Sequence, residues 1–164
     1  MQQRKIVRLD LASFKKPSID GNPTLPLRAL WYLINTVIFR SSLLGLMPSP
    51  SKTAVLRMFG AKVGNGVVIK PRVNIKSPWF LEIGDHVWIG EQVWIDNHTT
   101  VRIGPNTCIS QGVYLFTGNH DWNDPAFAFF CTPIEIGESV WITAFCQIPP
   151  GSAIPDQTVV LDKE

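Results

Sequence analysis

Several residue types that would make the chemistry of this chain obvious are scarce. Its 164 residues include three cysteines, Cys108, Cys131 and Cys146, an odd number with no CxxC pair. That argues against a disulfide framework and a zinc knot, and it fits a reducing compartment. Histidine is equally sparse: His86, His98 and His120 are spread along the chain without paired spacing. The one long apolar stretch, Ala29 to Phe39, is too short to span a bilayer. The opening "MQQRKIVRLDLASFKK" has no apolar core followed by a small-residue cleavage site, so no secretory signal is expected. Acidic residues are rare at one end. Residues 1–62 carry ten Lys and Arg against two acids, Asp10 and Asp20, whereas residues 63–164 carry five against eleven. The division is a basic leader, 1–62, on an acidic body, 63–164. With an acidic body and no recognised module, nucleic-acid binding has no support. A cytoplasmic protein is expected, with any contact at the inner face of a membrane made by the leader.

What the body does contain is a beat of six. From Val63 it reads "VGNGVV IKPRVN IKSPWF", then "IGDHVW IGEQVW IDNHTT", "IGPNTC ISQGVY LFTGNH" and, after an interruption, "IGESVW ITAFCQ IPPGSA IPDQTV V". The first position is aliphatic throughout, from Val63 and Ile69 to Ile154 and Val160. The fifth is small or β-branched in nearly every unit, and glycine opens several triplets at Gly64, Gly84, Gly104 and Gly137. Six residues make a short strand and a turn, and three such units close one triangular coil. The aliphatic residue points to the axis and stacks on its counterparts in adjacent coils, which no single coil could bury alone. The pairs Leu81-Glu82 and Val101-Arg102 fall between triplets, where they are expected to bulge from a corner. An ordinary β-sandwich would not hold this register.

The interruption, "FTGNHDWNDPAFAFFCTP", hangs on the sixth position of "LFTGNH", His120, and returns at "TPIEIG", giving a loop over 117–133. Loops on rigid scaffolds often carry chemistry, and His is the side chain best suited to take a proton near neutral pH. Asn119, Asp121, Asn123 and Asp124 favour tight turns. Asp121 or a backbone carbonyl is expected to fix the imidazole tautomer. From these residues alone, a turn histidine is more often inert than catalytic.

The repeat resembles that of the hexapeptide-repeat acyltransferases over roughly residues 60–160. Together with "FGAKVGNGVVIKPRVNIKSPWFLEIGD", the "TGNHDWNDPAF" segment is most similar to the colanic-acid-type O-acetyltransferases. The resemblance implies a left-handed parallel β-helix with an N-terminal helical cap, and it supplies the handedness, which periodicity does not. It implies acetyl transfer from acetyl-CoA to a sugar hydroxyl of a surface-glycan precursor, with His120 as general base and no metal. It further implies a homotrimer with active sites between subunits. Substrate binding is carried over to Asp96, Asn97 and His98, and to Asn119 and Asp121 beside the base. CoA binding is carried over to Trp141 and the main-chain N–H of Ala144, although Trp141 also reads as plain surface packing. Relatives continue with "GAGSVVTKD"-like residues, where this chain reads "IPDQTVVLDKE"; weaker grip on the adenine end of CoA is therefore expected. Two rivals share the fold. One is a non-catalytic trimeric scaffold; the other is a γ-carbonic-anhydrase-like metal enzyme, which needs three histidines converging across a subunit interface, with His86, His98 and His120 the candidates. Cys108 and Cys146 read as structural.

The leader divides into a polar arm, residues 1–22, and two helical stretches. Thr24 and Pro26 mark the start of one helix, whose apolar residues lie on both faces. It either packs on the β-helix or lies on a membrane surface, and packing is the favoured expectation. "SPSKTAVLRMFG" reads as a second helix with Ser49 as N-cap and Gly60 as stop, covering the open first coil.

Overall fold

The computed structural model describes residues 5–162, so Met1–Arg4 of the arm and residues 163–164 of the last coil lie outside it. Three parallel faces run the length of the body. The first stacks Lys62–Val63, Leu81–Ile83, Val101–Ile103, Ile134–Ile136 and Ala153–Ile154. The second stacks Val68–Ile69, Trp88–Ile89, Cys108–Ile109, Trp141–Ile142 and Val159–Val160. The third stacks Asn74–Ile75, Trp94–Asp96, Tyr114–Phe116 and Gln147–Ile148. First positions pair with first positions: Ile69 on Ile89, Ile109 and Ile142, and Ile75 on Ile95, Leu115 and Ile148. All eight are buried, as the period of six requires, and each coil is stable only on its neighbours.

The inserted pairs do not bulge. Leu81 and Val101 lie in register with Ile134, extending the first face by one more buried residue per coil. The alternate residues point outward, where Arg102 bridges Glu82 at 2.9 Å and Glu135 at 2.8 Å, and Lys62 meets Glu82 at 2.9 Å. Alternation of side chains along a strand makes this possible: an added pair preserves which side faces in. The ladder is solvent-exposed and contributes little stability.

The corners hold a further regularity. The fourth position of the unit is left-handed at Gly66, Arg72, His86, Gln92, Asn106, Gly112, Ser139, Phe145, Gly151 and Gln157. Most of these carry a Cβ, which makes the conformation costly. The corner closes only that way, so the coil imposes it on whatever residue stands there.

The leader closes the open end of every face. The first helix, α1 (Leu25–Ile34), continues through a π-helical turn, Asn35–Phe39. From it Trp31 Nε1 donates to the Ile75 carbonyl at 2.9 Å, and Asn35 Oδ1 accepts from the Ile75 N–H at 3.2 Å. That satisfies the edge of the third face. The second helix, α2 (Ser49–Met58), serves the other two. Lys52 Nζ donates to the Ile69 carbonyl at 2.7 Å and Ser49 Oγ accepts from the Ile69 N–H at 3.0 Å. Arg57 reaches the carbonyls of Val63 and Gly64 at 3.0 and 2.7 Å. An unpaired edge is a template for aggregation, and here side chains stand in for the missing strand. Pro48, rather than Ser49, takes the N-cap position, because the Ser49 hydroxyl is committed to Ile69. Gly60 ends the helix region at φ +89°. Both sequence expectations for α1 bear on its two faces. Trp31 is buried between Phe39 and Phe59, at ring distances of 5.4 and 5.1 Å, so the helix packs. Leu25, Leu30, Tyr32, Leu33, Leu43 and Leu46 nonetheless remain exposed.

Candidate active site

The corner after the third face departs from the repeat in three successive coils. Ser77, Asn97 and Thr117 are all buried there, stacked one above another. Asn97 Oδ1 accepts from the Ser77 N–H at 3.0 Å, and its Nδ2 donates to the Ser77 carbonyl at 2.7 Å. Thr117 Oγ1 accepts from the N–H groups of His98 and Thr99 at 2.8 and 3.2 Å. These side chains satisfy backbone groups that the irregular corner leaves unpaired, as buried groups require. Asn97, which the resemblance assigns to the acceptor, has both amide atoms engaged within the protein and holds the corner instead.

From Thr117 the chain leaves the coil as an antiparallel hairpin, Gly118–His120 against Phe129–Cys131, with His120 opposite Phe129. Gly118 permits it: a Cβ there would strike the Phe129 ring. Asp121 and Asp124 cap the turn, accepting from the N–H groups of Asn123 and Ala126 at 2.8 and 2.9 Å. Asp121 therefore shapes the turn and does not orient the imidazole. Asn119 Oδ1 accepts from the His120 N–H at 2.8 Å.

The His120 tautomer follows from its partner. Nδ1 lies 2.7 Å from the Phe127 carbonyl oxygen, which can only accept, so Nδ1 carries a proton, and Nε2 is the nitrogen left for proton exchange. Phe127 is left-handed at φ 53°, and its ring stacks on the imidazole at 4.2 Å. Phe129 and, from the arm, Phe14 close around the same ring at 5.1 and 5.6 Å. The arm is also tied to the turn by the Asp10 N–H, which donates to the Pro125 carbonyl at 2.7 Å. His120 thus stands in an aromatic frame with Nδ1 fixed on a carbonyl and Nε2 free of any partner among the described residues.

A second group lies one coil away. Lys76 Nζ sits 2.6 Å from Asp96 Oδ1 and 2.7 Å from His98 Nε2. An ammonium only donates, so His98 Nε2 accepts and its proton is on Nδ1. Burial holds the His98 imidazole below its ordinary pKa, Lys76 and Lys16 add to this, and Asp96 opposes it. His98 is a neutral acceptor whose lone pair is already used, unsuited to serve as the base. Asp96 Oδ2 accepts from Tyr114 at 3.1 Å, and burial followed by Asp96 pushes the phenol up to about 12. Burial likewise raises the Cys131 and Cys108 thiols, which makes them poor nucleophiles.

His120, His98, Asp96, Lys76 and Phe129 line a cavity of about 1090 Å³. The leader contributes Phe14, Lys16, Asn22, Arg28, Tyr32 and Arg40 to the same lining. Sequence reading missed Lys76, Thr117, Phe127 and the whole leader contribution. Only coil stacking brings these residues to His120. Trp141 and Ala144 stand elsewhere, on the second face and the corner after it. Trp141 is half exposed and donates from Nε1 to Ser110 Oγ at 2.9 Å. The Ala144 N–H donates to nothing among the described residues. Among the described residues of one chain, no three His, Cys, Asp or Glu groups converge as metal ligands.

No family profile matches the chain. It is 38% identical over 152 residues to WcaF of Escherichia coli K12, an acetyltransferase assigned to colanic acid biosynthesis, covering 92% of this chain and 82% of that one. The galactoside O-acetyltransferase of the same organism is 28% identical over 115 residues, 66% of this chain and 55% of its own length. Among solved structures, a hexapeptide-repeat acetyltransferase of Vibrio cholerae, crystallised with acetyl-CoA, superposes with a TM-score of 0.71 at 22% identity. That match covers 83% of this chain and 73% of the other, and it identifies the fold as the left-handed parallel β-helix.

Proposed function

This chain belongs to the hexapeptide-repeat acetyltransferases, and from that premise we propose that it moves an acetyl group from acetyl-CoA to a sugar hydroxyl of a cell-surface glycan precursor, with His120 as the general base. The observation that carries the assignment is the Nδ1–H bond to the Phe127 carbonyl, which leaves Nε2 as the free basic nitrogen. His120 Nε2 takes the acceptor's hydroxyl proton as the oxygen adds to the thioester carbonyl carbon; collapse then expels the thiolate, which leaves as the thiol with a proton from the imidazolium. No covalent acyl-enzyme step is needed. Lys76 lies on the cavity wall, where a cation would favour developing negative charge on the acceptor.

Asp96 and His98, locked by Lys76, are assigned to acceptor positioning. Trp141 and the free Ala144 N–H are assigned to CoA on the second face. Because they stand apart from the cavity of their own chain, we assign the composite site to neighbouring subunits of a homotrimer. Exposed Trp88, Trp94, Trp141 and Phe145 support this, since large exposed aromatics often mark interfaces. Thiol release from acetyl-CoA across a panel of sugar acceptors tests the activity, and sedimentation tests the assembly. A protein that releases no thiol with any acceptor is the scaffold rival, and a monomer at micromolar concentration removes the shared site.

The exposed apolar residues of α1 also support contact at a membrane surface, because from Gly21 to Leu81 the chain contains no acidic residue. Among the described residues no helix is long and apolar enough to cross a membrane. The protein is expected to co-sediment with vesicles containing anionic lipid and to release in high salt, where charge attraction is screened. Binding that ignores both lipid charge and salt would exclude this contact.

A further inference from the structure

The cavity around His120 is asymmetric in charge. Lys16, Arg28, Arg40 and Lys76 line it, against one carboxylate, Asp96. That carboxylate is already committed to Lys76 and Tyr114. Among the described residues, no ion pair involves Lys16, Arg28 or Arg40. The acid-free run from Gly21 to Leu81 supplies both the α1 wall and Lys76, so no neighbouring acid in sequence offsets them. Arg28 stands near the N-terminus of α1, where the helix dipole disfavours a cation and favours an anion. Thr24 provides no side-chain cap there.

Like charges facing one cavity repel, and the arrangement costs stability unless something negative enters. Burial lowers the His98 pKa most, and Lys76 and Lys16 lower it further against the opposing Asp96. A neutral sugar would leave Lys16, Arg28 and Arg40 without an acidic partner among the described residues. An acceptor bearing an anionic group would pair them while its own hydroxyl reaches His120 in the same cavity. The volume of about 1090 Å³ leaves room for a sugar together with such a group.

We propose that the acceptor is an anionic sugar, carrying a phosphate or a carboxylate that Arg28 and Lys16 bind on the leader side of the cavity. The leader is then a specificity element as well as a cap. This rests on the acetyltransferase reading of the same site, but its test measures binding without turnover, so either can fail alone.

Titration of the full chain with glucose 1-phosphate, glucuronic acid and methyl glucoside, followed by calorimetry and by the fluorescence of Trp79 and Trp94 in the cavity wall, separates the possibilities. One or both anionic sugars should bind about tenfold or more tighter than the neutral glycoside. Which one prevails identifies phosphate or carboxylate as the source. Added salt should erase the difference. Arg28→Gln and Lys16→Gln alter exposed side chains, and each should weaken the anionic sugar by about tenfold while leaving the neutral one unchanged. Equal binding of all three ligands, or anionic binding indifferent to both substitutions, overturns the proposal. So does competition by CoA, which would assign these cations to the phosphates of the donor.

Discussion

His120→Asn is expected to lower acetyl transfer by about 10²–10⁴-fold, the usual effect of removing a general base. Asparagine keeps a polar side chain of similar reach, but it offers no basic nitrogen where Nε2 stood. The hairpin around it is held by its own ladder, by the Asp121 and Asp124 turns and by Gly118. Melting and oligomeric state should therefore match the wild type, and CoA should still bind. The assay is thiol release with an acceptor the wild type uses, read beside a melting curve. His98→Asn provides the contrast, since the His98 lone pair is taken by Lys76; it should raise the acceptor KM and leave kcat nearly unchanged. If His120→Asn keeps more than about a third of the rate, well short of the expected loss, the base is another group and the mechanism proposed here fails.

The second large effect falls on stability. Asn97→Ala removes the acceptor for the Ser77 N–H and the donor to the Ser77 carbonyl, both within a buried corner. Each orphaned buried group costs about 1–3 kcal/mol, so a loss of roughly 2–6 kcal/mol is expected for the two, visible as a shift in denaturant midpoint. A residue that only touched substrate would leave the midpoint unchanged and raise KM. Activity should fall in the variant chiefly as its folded fraction falls. An unchanged midpoint with a raised acceptor KM would return Asn97 to the acceptor site.

How far the sequence could be read depends on what kind of contact each feature makes. First positions from Ile69 to Ile148 were legible because an inward side chain every six residues is a local, repeated demand. His120 was legible as a residue at an interruption, and the family resemblance made it a base. The group that fixes its tautomer was not: Asp121 was as plausible as a carbonyl, and the hairpin's fold selected Phe127. Leu81-Glu82 and Val101-Arg102 looked like bulges because nothing in the spacing says whether an added pair leaves a face or lengthens it. The third such pair, Ile134-Glu135, decides the matter only when stacked on them.

Sequence alone determined the coil, its three faces, the inward aliphatic stack and the division between a basic leader and an acidic body. Each follows from spacing or charge along the chain, and the stack needs no more than that identical positions meet identical positions. Tertiary structure decided the rest. It made the fourth position of the corners left-handed for arginine, glutamine and phenylalanine alike, because closing the triangle outweighs a local preference. It stacked Ser77, Asn97 and Thr117 into one polar corner. It set Lys76 against His98, and it brought Phe14, Lys16 and Arg28 of the leader into the cavity that holds His120. Those meetings join residues far apart in the chain, and they depend on where one coil lies over the next and where the leader folds back, which no spacing within a single segment encodes.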